Sequence, residues 1–272
     1  MHDGLGFRRR HLLAMGGLAA LVPLLPAHAQ AASGLEAIKS RGKLLAGVKA
    51  DTPPFGFVDA SNSLAGFDVD IVQEVGKSLG VSVELVKVTS PTRIPLLLSG
   101  GVDLVAASMT HTRAREQAID FSITYYTGAQ SLLVPAASPI QTLKDLGGKH
   151  VAVQQGTTLE KTLATLAPDA VAMPFRDYTS AWLAVRQGRA DALTGSADIL
   201  RGFAHADAAF RLTGGKFSKE PFGIGLRHGE FGLRDSINAC LQDIWTSGRY
   251  RALYQHWFEV EPDEPIEEWP KA

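Results

Sequence analysis

Short apolar strands alternate with amphipathic helices along nearly the whole chain, and this alternation restricts the fold more than any other feature of the sequence. Residues 43–48 read as a strand. Residues 68–79 read as a helix whose apolar positions Ile71, Val72, Val75 and Leu79 share one face and which Gly80 ends. Residues 81–88, rich in β-branched side chains, read as the next strand. A short helix over 91–99, with Pro91 at its start and Gly100-Gly101 at its end, leads into a buried strand over 102–107, a charged helix over 112–118 and a strand over 130–134. A second series then begins, with strands at 151–154, 171–174 and 190–194 and helices at 156–166 and 178–187. A strand at 223–227 returns from it, and helices at 233–246 and 250–258 close the chain. Such alternation implies mostly parallel sheets covered on both faces, which take ligands at the carboxyl ends of strands, near helix N-termini. Two series imply two lobes with a cleft between them.

The length of 272 residues suits two lobes of ordinary size, and an apolar share of 45% is enough for packed cores. A net charge of −1 argues against a nucleic-acid partner. It does not argue against a small anionic ligand, which needs only one or two well-placed cations. Arg8, Arg9 and Arg10, an apolar run from Leu12 to Leu25 broken by Gly16, Gly17 and Pro23, and the small-residue exit Ala27-His28-Ala29 describe an export signal over residues 1–29, cleaved after Ala29. The run is short for a membrane span. Arg9-Arg10 followed by His11-Leu12-Leu13 resembles a twin-arginine leader, with the general secretory route and an uncleaved anchor as the alternatives. The single cysteine, Cys240, excludes an internal disulfide and sits among apolar helical positions as a small core residue.

Three stretches carry chemistry. In the first, residues 107–115, Ser108 and Thr110 offer hydroxyls, a helix start offers free N–H groups, and Arg115 offers a planar fork of donors. That set suits a carboxylate. The alternative is that Thr110 or Thr112 only caps the helix and Arg115 is a solvated charge. In the second, residues 154–158, Gly156 permits close backbone approach while Gln155, Thr157 and Thr158 form a polar wall, an ordinary strand–helix turn being the alternative. In the third, residues 47–57, Lys49 and Asp51 precede a proline turn that presents Phe55 and Phe57, either to the apolar part of a ligand or to the core. No Gly-x-Ser-x-Gly and no His-Glu-x-x-His motif is present, His111, His150 and His205 are scattered, and no cofactor or metal is expected.

These stretches, in this order, resemble the family 3 periplasmic solute-binding proteins, receptors for polar amino acids. The resemblance also rests on Gly66-Phe67-Asp68-Val69-Asp70, Ile94-Pro95 with Ser99-Gly100, Val102-Asp103-Leu104 and Asp120-Phe121-Ser122. Tyr125-Tyr126, Gly188-Arg189-Ala190-Asp191-Ala192 and an ending of Gly248-x-Tyr250 with Trp257 complete it. It implies an α/β protein of the two-lobed periplasmic binding protein type II fold, with the ligand cleft between lobes joined by two crossing strands near Leu133-Val134 and Ile224-Gly225. The first lobe would comprise residues 30–133 plus 226–272 and the second residues 134–225. It further implies a periplasmic monomer that closes on an amino acid or another carboxylate and docks on an ABC permease in the inner membrane.

Arg115 matches the family's arginine that grips the α-carboxylate, helped by Ser108, Thr110 and the amides near Thr157 and Thr158. Lys49 and Arg93 resemble the positions where acidic-amino-acid receptors hold a side-chain carboxylate, which points to aspartate or glutamate. The sequence departs from the family at Ser196, where members usually carry the acidic residue that holds the ligand ammonium. Either Asp51 or Asp198 takes that role, or the ligand is a carboxylate without an ordinary α-amino group. Two rivals use the same fold. One is a cyclohexadienyl-type dehydratase, which adds a carboxyl group as general acid. The other is a sensor's ligand domain, which is expected to run on into a membrane span and a signalling module.

Overall fold

The computed structural model describes residues 34–269. The leader expected over residues 1–29 lies outside them. Two five-stranded sheets form the framework. The first has the strand order Ser82–Lys87, Lys43–Val48, Leu104–Val105, Gly225–Leu226, Asp120–Phe121. The second runs Val171–Phe175, His150–Gln154, Ala192–Ser196, Gln130–Pro135, Phe210–Thr213. Each sheet is parallel among its first three strands. Each is antiparallel where the chain enters or leaves: Gly225–Leu226 in the first sheet, Gln130–Pro135 in the second.

The helix Phe67–Leu79 shows why the sequence folds as it does. Its buried residues Phe67, Ile71, Val72 and Val75 face the first sheet, Asp68 and Asp70 occupy its first turn, and Gly80 ends it in the left-handed region. Gly66, just before it, is required by contact. A Cβ there would lie 2.2 Å from the carbonyl oxygen of Phe55. The helices Phe231–Thr246 and Arg249–Phe258 pack on the same helix, and Cys240 is buried in the first of them, where burial pushes its thiol up to about 11. In the second lobe the helices Tyr178–Arg186, Leu159–Leu166 and Ala197–Ala206 cover the sheet.

In chain order the first sheet is interrupted after Phe121 and resumed at Gly225, and everything in the second sheet lies between. The segments that link the two, Tyr126–Gly128 and Glu220–Phe222, pair with each other as a short antiparallel ladder. The family resemblance sets the crossings near Leu133-Val134 and Ile224-Gly225. In the structure Leu133 and Val134 lie inside the second sheet and Gly225 inside the first. The reason is burial on both faces: Gln130 through Val134 are all buried, as an interior strand requires, and the run is apolar from Leu132 to Val134.

The ladder is fixed to the first lobe by aromatic rings. Phe55, which is 0% exposed, stacks edge-on against Tyr126 at 4.8 Å and Phe222 at 5.6 Å between centroids. Phe258 lies 5.3 Å from Phe55 and 5.1 Å from Tyr126. Phe55 is therefore a keystone under the crossings. Phe55→Ala is expected to lower unfolding free energy by about 3–5 kcal/mol. Denaturant unfolding would measure this, and a loss below about 1 kcal/mol would contradict the assignment.

Candidate functional site

The first wall of the cleft is the loop that follows the strand Leu104–Val105. Ser108 holds a left-handed backbone, φ 44°, and its N–H donates to Asp68 Oδ2 at 2.7 Å. Asp68 is fully buried and also accepts from Tyr125 Oη at 2.6 Å. Burial pushes its carboxyl up to about 6, against the pull of those two hydrogen bonds. The loop then pairs with the returning crossing segment, through Gly223 N–H to the Met109 carbonyl and His111 N–H to the Pro221 carbonyl. That pairing sets Thr110 beside Glu220.

The second wall follows the strand His150–Gln154. Gly156 turns the chain at φ 71°, and Thr158 precedes the helix Leu159–Leu166. The Gly156 carbonyl reaches across to the first lobe and accepts from two guanidinium groups, Arg115 Nη2 at 3.0 Å and Arg93 Nη2 at 3.2 Å. Arg115 Nη1 donates to the Thr110 carbonyl at 2.6 Å and Arg93 Nη1 to the Ala107 carbonyl at 2.7 Å. Arg93 is 2% exposed. Burial, reinforced by the charge of Arg115, pushes it down to about 9, still cationic at neutral pH. Burial also lowers Arg115, with Glu220 opposing.

A second set of contacts spans the lobes at Lys49, which is 1% exposed. Its Nζ donates to Ser90 Oγ at 3.2 Å, and Ser90 Oγ donates to Gln154 Oε1 at 3.2 Å. Burial pushes Lys49 down to about 8, while Asp51, 3.4 Å from its Nζ, pulls it back. The other oxygen of Asp51 accepts from the N–H of Tyr178, at the start of the helix Tyr178–Arg186, at 3.2 Å.

Between the walls lies a cavity of about 40 Å³, room for water but less than the volume of an amino acid. Among the described residues, five buried polar side-chain atoms have no hydrogen-bond partner: Arg93 Nε, Ser108 Oγ, Gln130 Oε1, Gln154 Nε2 and Ser196 Oγ. All five residues line this one cavity. An unmade buried hydrogen bond costs about 1–3 kcal/mol, so both donors and acceptors here are set for a polar molecule.

Of the residues expected from sequence, Lys49, Arg93, Ser108, Thr110, Thr157, Thr158 and Ser196 line the cavity. Asp51 and Arg115 stand behind it, bonded to its wall. Phe55 and Gln155 do not line it. Phe55 is core, and Gln155 is exposed with its N–H bonded to the Phe175 carbonyl. The neighbouring Gln154, last residue of its strand, turns inward instead. Asp198, offered as a substitute acid, bonds to Tyr126 Oη and Arg201 and is not among the lining residues. The sequence pattern misses Gln130, Tyr178 and Glu220, all of which line the cavity. A single glutamine and a single glutamate, each at a strand start, carry no motif, and only the assembled sheets and the pairing of the crossing segments bring them in.

Two α/β lobes that exchange the chain twice and enclose a polar cavity define the two-lobed, type II class of solute-binding protein. The model of the bacterial extracellular solute-binding proteins, family 3, matches residues 44–260, and the chain belongs to this family. It is 37% identical over 235 residues to the ABC transporter glutamine-binding protein of Bacillus subtilis (strain 168), covering 85% of this chain and 86% of that protein. It is 40% identical over 196 residues to the glutamine-binding protein of Geobacillus stearothermophilus, covering 70% and 75%. Among solved structures, an ancestral amino acid-binding protein described as a precursor of cyclohexadienyl dehydratase superposes with a TM-score of 0.77 at 35% identity, over 84% of this chain and 100% of that one.

The closeness of the two lobes at Gly156 yields a prediction. A Cβ on Gly156 would lie 2.8 Å from backbone atoms of Ser90 and Pro91, on the other lobe, and its φ is positive. Gly156→Ala is expected to leave both lobes folded while weakening ligand retention about tenfold or more, since the clash with Ser90 and Pro91 arises only when the lobes are together, and about 1.4 kcal/mol of it suffices. Stopped-flow release rates would check this. Wild-type retention would contradict the closeness.

Proposed function

We propose that the protein is the receptor of an ABC importer, exported to the periplasm with its leader removed after Ala29, and that it works as a monomer. It closes on one polar amino acid and delivers it to an inner-membrane permease. The observation that carries this reading is the convergence of five partnerless buried polar atoms on one cavity between the lobes. The names of the relatives, binding proteins rather than enzymes, support a binding role.

The ligand α-carboxylate lies beside the Gly156 carbonyl, before Arg93, whose Nε has no other partner, and Arg115, gaining charge-assisted hydrogen bonds there. The side chain then extends toward Lys49, Ser90 and Gln154. Lys49 and Arg93 alone suggest an acidic ligand, but the cations do not stand alone. Lys49, Arg93 and Arg115 share this region with the carboxyl groups of Asp51, Asp68 and Glu220. A balanced site favours a zwitterion with a neutral polar side chain, and L-glutamine is the ligand we favour. The partnerless Nε of Arg93 favours L-glutamate as the second reading.

Thermal shift and calorimetric titration of the mature protein with L-glutamine, L-glutamate, L-aspartate, L-arginine and glutarate would decide. L-Glutamine at a hundredfold excess over Kd is expected to stabilise by about 2.7 kcal/mol, a rise in Tm of about 5–10 °C. Arg115→Ala is expected to weaken that binding about 100-fold. No response to either glutamine or glutamate would contradict the ligand assignment, and unchanged affinity in Arg115→Ala would remove the carboxylate anchor.

A further inference from the structure

Glu220 is a buried charge at the cavity that the carboxylate-binding reading leaves without a ligand group of its own. It lies on the returning crossing segment, is 6% exposed, and lines the cavity. All of its side-chain partners are neutral. Oε2 accepts from Thr110 Oγ1 at 2.7 Å and Thr158 Oγ1 at 2.9 Å, and Oε1 accepts from Gln130 Nε2 at 2.6 Å. No ion pair among the described residues includes it, the guanidinium of Arg115 being held instead by the carbonyls of Thr110 and Gly156. Arg115 feels the charge of Glu220 but does not touch it, and a buried carboxylate with no cation in contact is costly, a cost relieved where the cation arrives with a ligand.

The surroundings of Glu220 point the same way. Gln130, its donor, has its own Oε1 partnerless, and Ser196, the register partner of Gln130 across the sheet, has a partnerless Oγ. Glu220, Gln130 Oε1 and Ser196 Oγ therefore form an acceptor-rich end of the cavity. Arg93 Nε, Gln154 Nε2 and the ammonium group of Lys49 form a donor-rich end. Such a cavity is dipolar, and it orients a zwitterion in one direction only.

We propose that Glu220 is the counter-charge for the ligand α-ammonium, with Gln130 and Ser196 completing its acceptors, so that the cleft selects amines over their des-amino analogues. The proposal rests on the reading of the protein as an amino acid receptor. Ser196 can accept a hydrogen bond but cannot neutralise an ammonium; Glu220 supplies the charge from another strand. Its donors come from both lobes, Thr110 from the first and Thr158 and Gln130 from the second. An ammonium seated on Glu220 is therefore read by the closed arrangement and not by one lobe.

Calorimetry at pH 7 with two pairs of probes tests this: L-glutamine against glutaramic acid, and L-glutamate against glutarate. The wild-type protein is expected to prefer the amine of each bound pair by at least about 100-fold, as for loss of a buried charge pair. Glu220→Gln keeps the shape and is expected to cut that preference at least tenfold, by weakening the amine and by relieving the unpaired charge in the des-amino complex. Adding Ser196→Asp to Glu220→Gln is expected to restore the preference. An unchanged preference in Glu220→Gln overturns the proposal alone. Equal binding of amine and des-amino probes by the wild type overturns it without any variant. Failure of the wild type to bind either amino acid overturns the receptor reading itself.

Discussion

The antiparallel ladder between Tyr126–Gly128 and Glu220–Phe222 is the constraint on which the rest of the molecule depends. Its aromatic side chains, Tyr126 and Phe222, are buried against Phe55 and Phe258, so the crossings belong mechanically to the first lobe. Its polar residue, Glu220, points into the cavity and collects hydroxyls from both lobes. The same segment pairs with residues 109–111 and so positions Thr110. A hinge built this way does more than allow motion. It carries a ligand-facing charge at the point through which the lobes turn.

Closure depends on polar contacts that are individually weak. The Gly156 carbonyl on two guanidinium groups, Ser90 on Gln154, and Asp51 on the N–H of Tyr178 all bridge the lobes. Set against them are five buried polar atoms left without partners. A polar atom buried without a partner costs about 1–3 kcal/mol, so closure over an empty cleft is disfavoured. A polar ligand that satisfies them removes that penalty from the closed arrangement, so that ligand binding and lobe closure favour each other.

Local order was legible in the sequence wherever one residue's neighbours determine its state. The helix expected over 68–79 forms as Phe67–Leu79, and the strand expected over 43–48 forms at Lys43–Val48. The polar loop around Ser108 and Thr110 and the turn at Gly156 announce themselves by composition, and both reach the cavity wall. Sequence failed where placement depends on distant pairing. Gln154 and Gln155 differ only in the direction they take at the end of a strand, and the pattern cannot tell the inward one from the outward one. Phe55 looks equally suited to a ligand or a core, and only Tyr126 and Phe222, far along the chain, decide for the core. Glu220 belongs to no local motif. Its neighbours Thr110, Gln130 and Thr158 come from three other segments, and a burial that depends on four segments leaves no trace in any one of them.

The central claim is that an amino acid is captured by closure of two lobes about the crossing ladder. Small-angle X-ray scattering of the mature protein, with and without saturating L-glutamine, tests it most directly. The account predicts a smaller radius of gyration in the bound protein and a bound curve that fits the closed arrangement. An identical curve in the two states, with binding verified by calorimetry in the same sample, would contradict it.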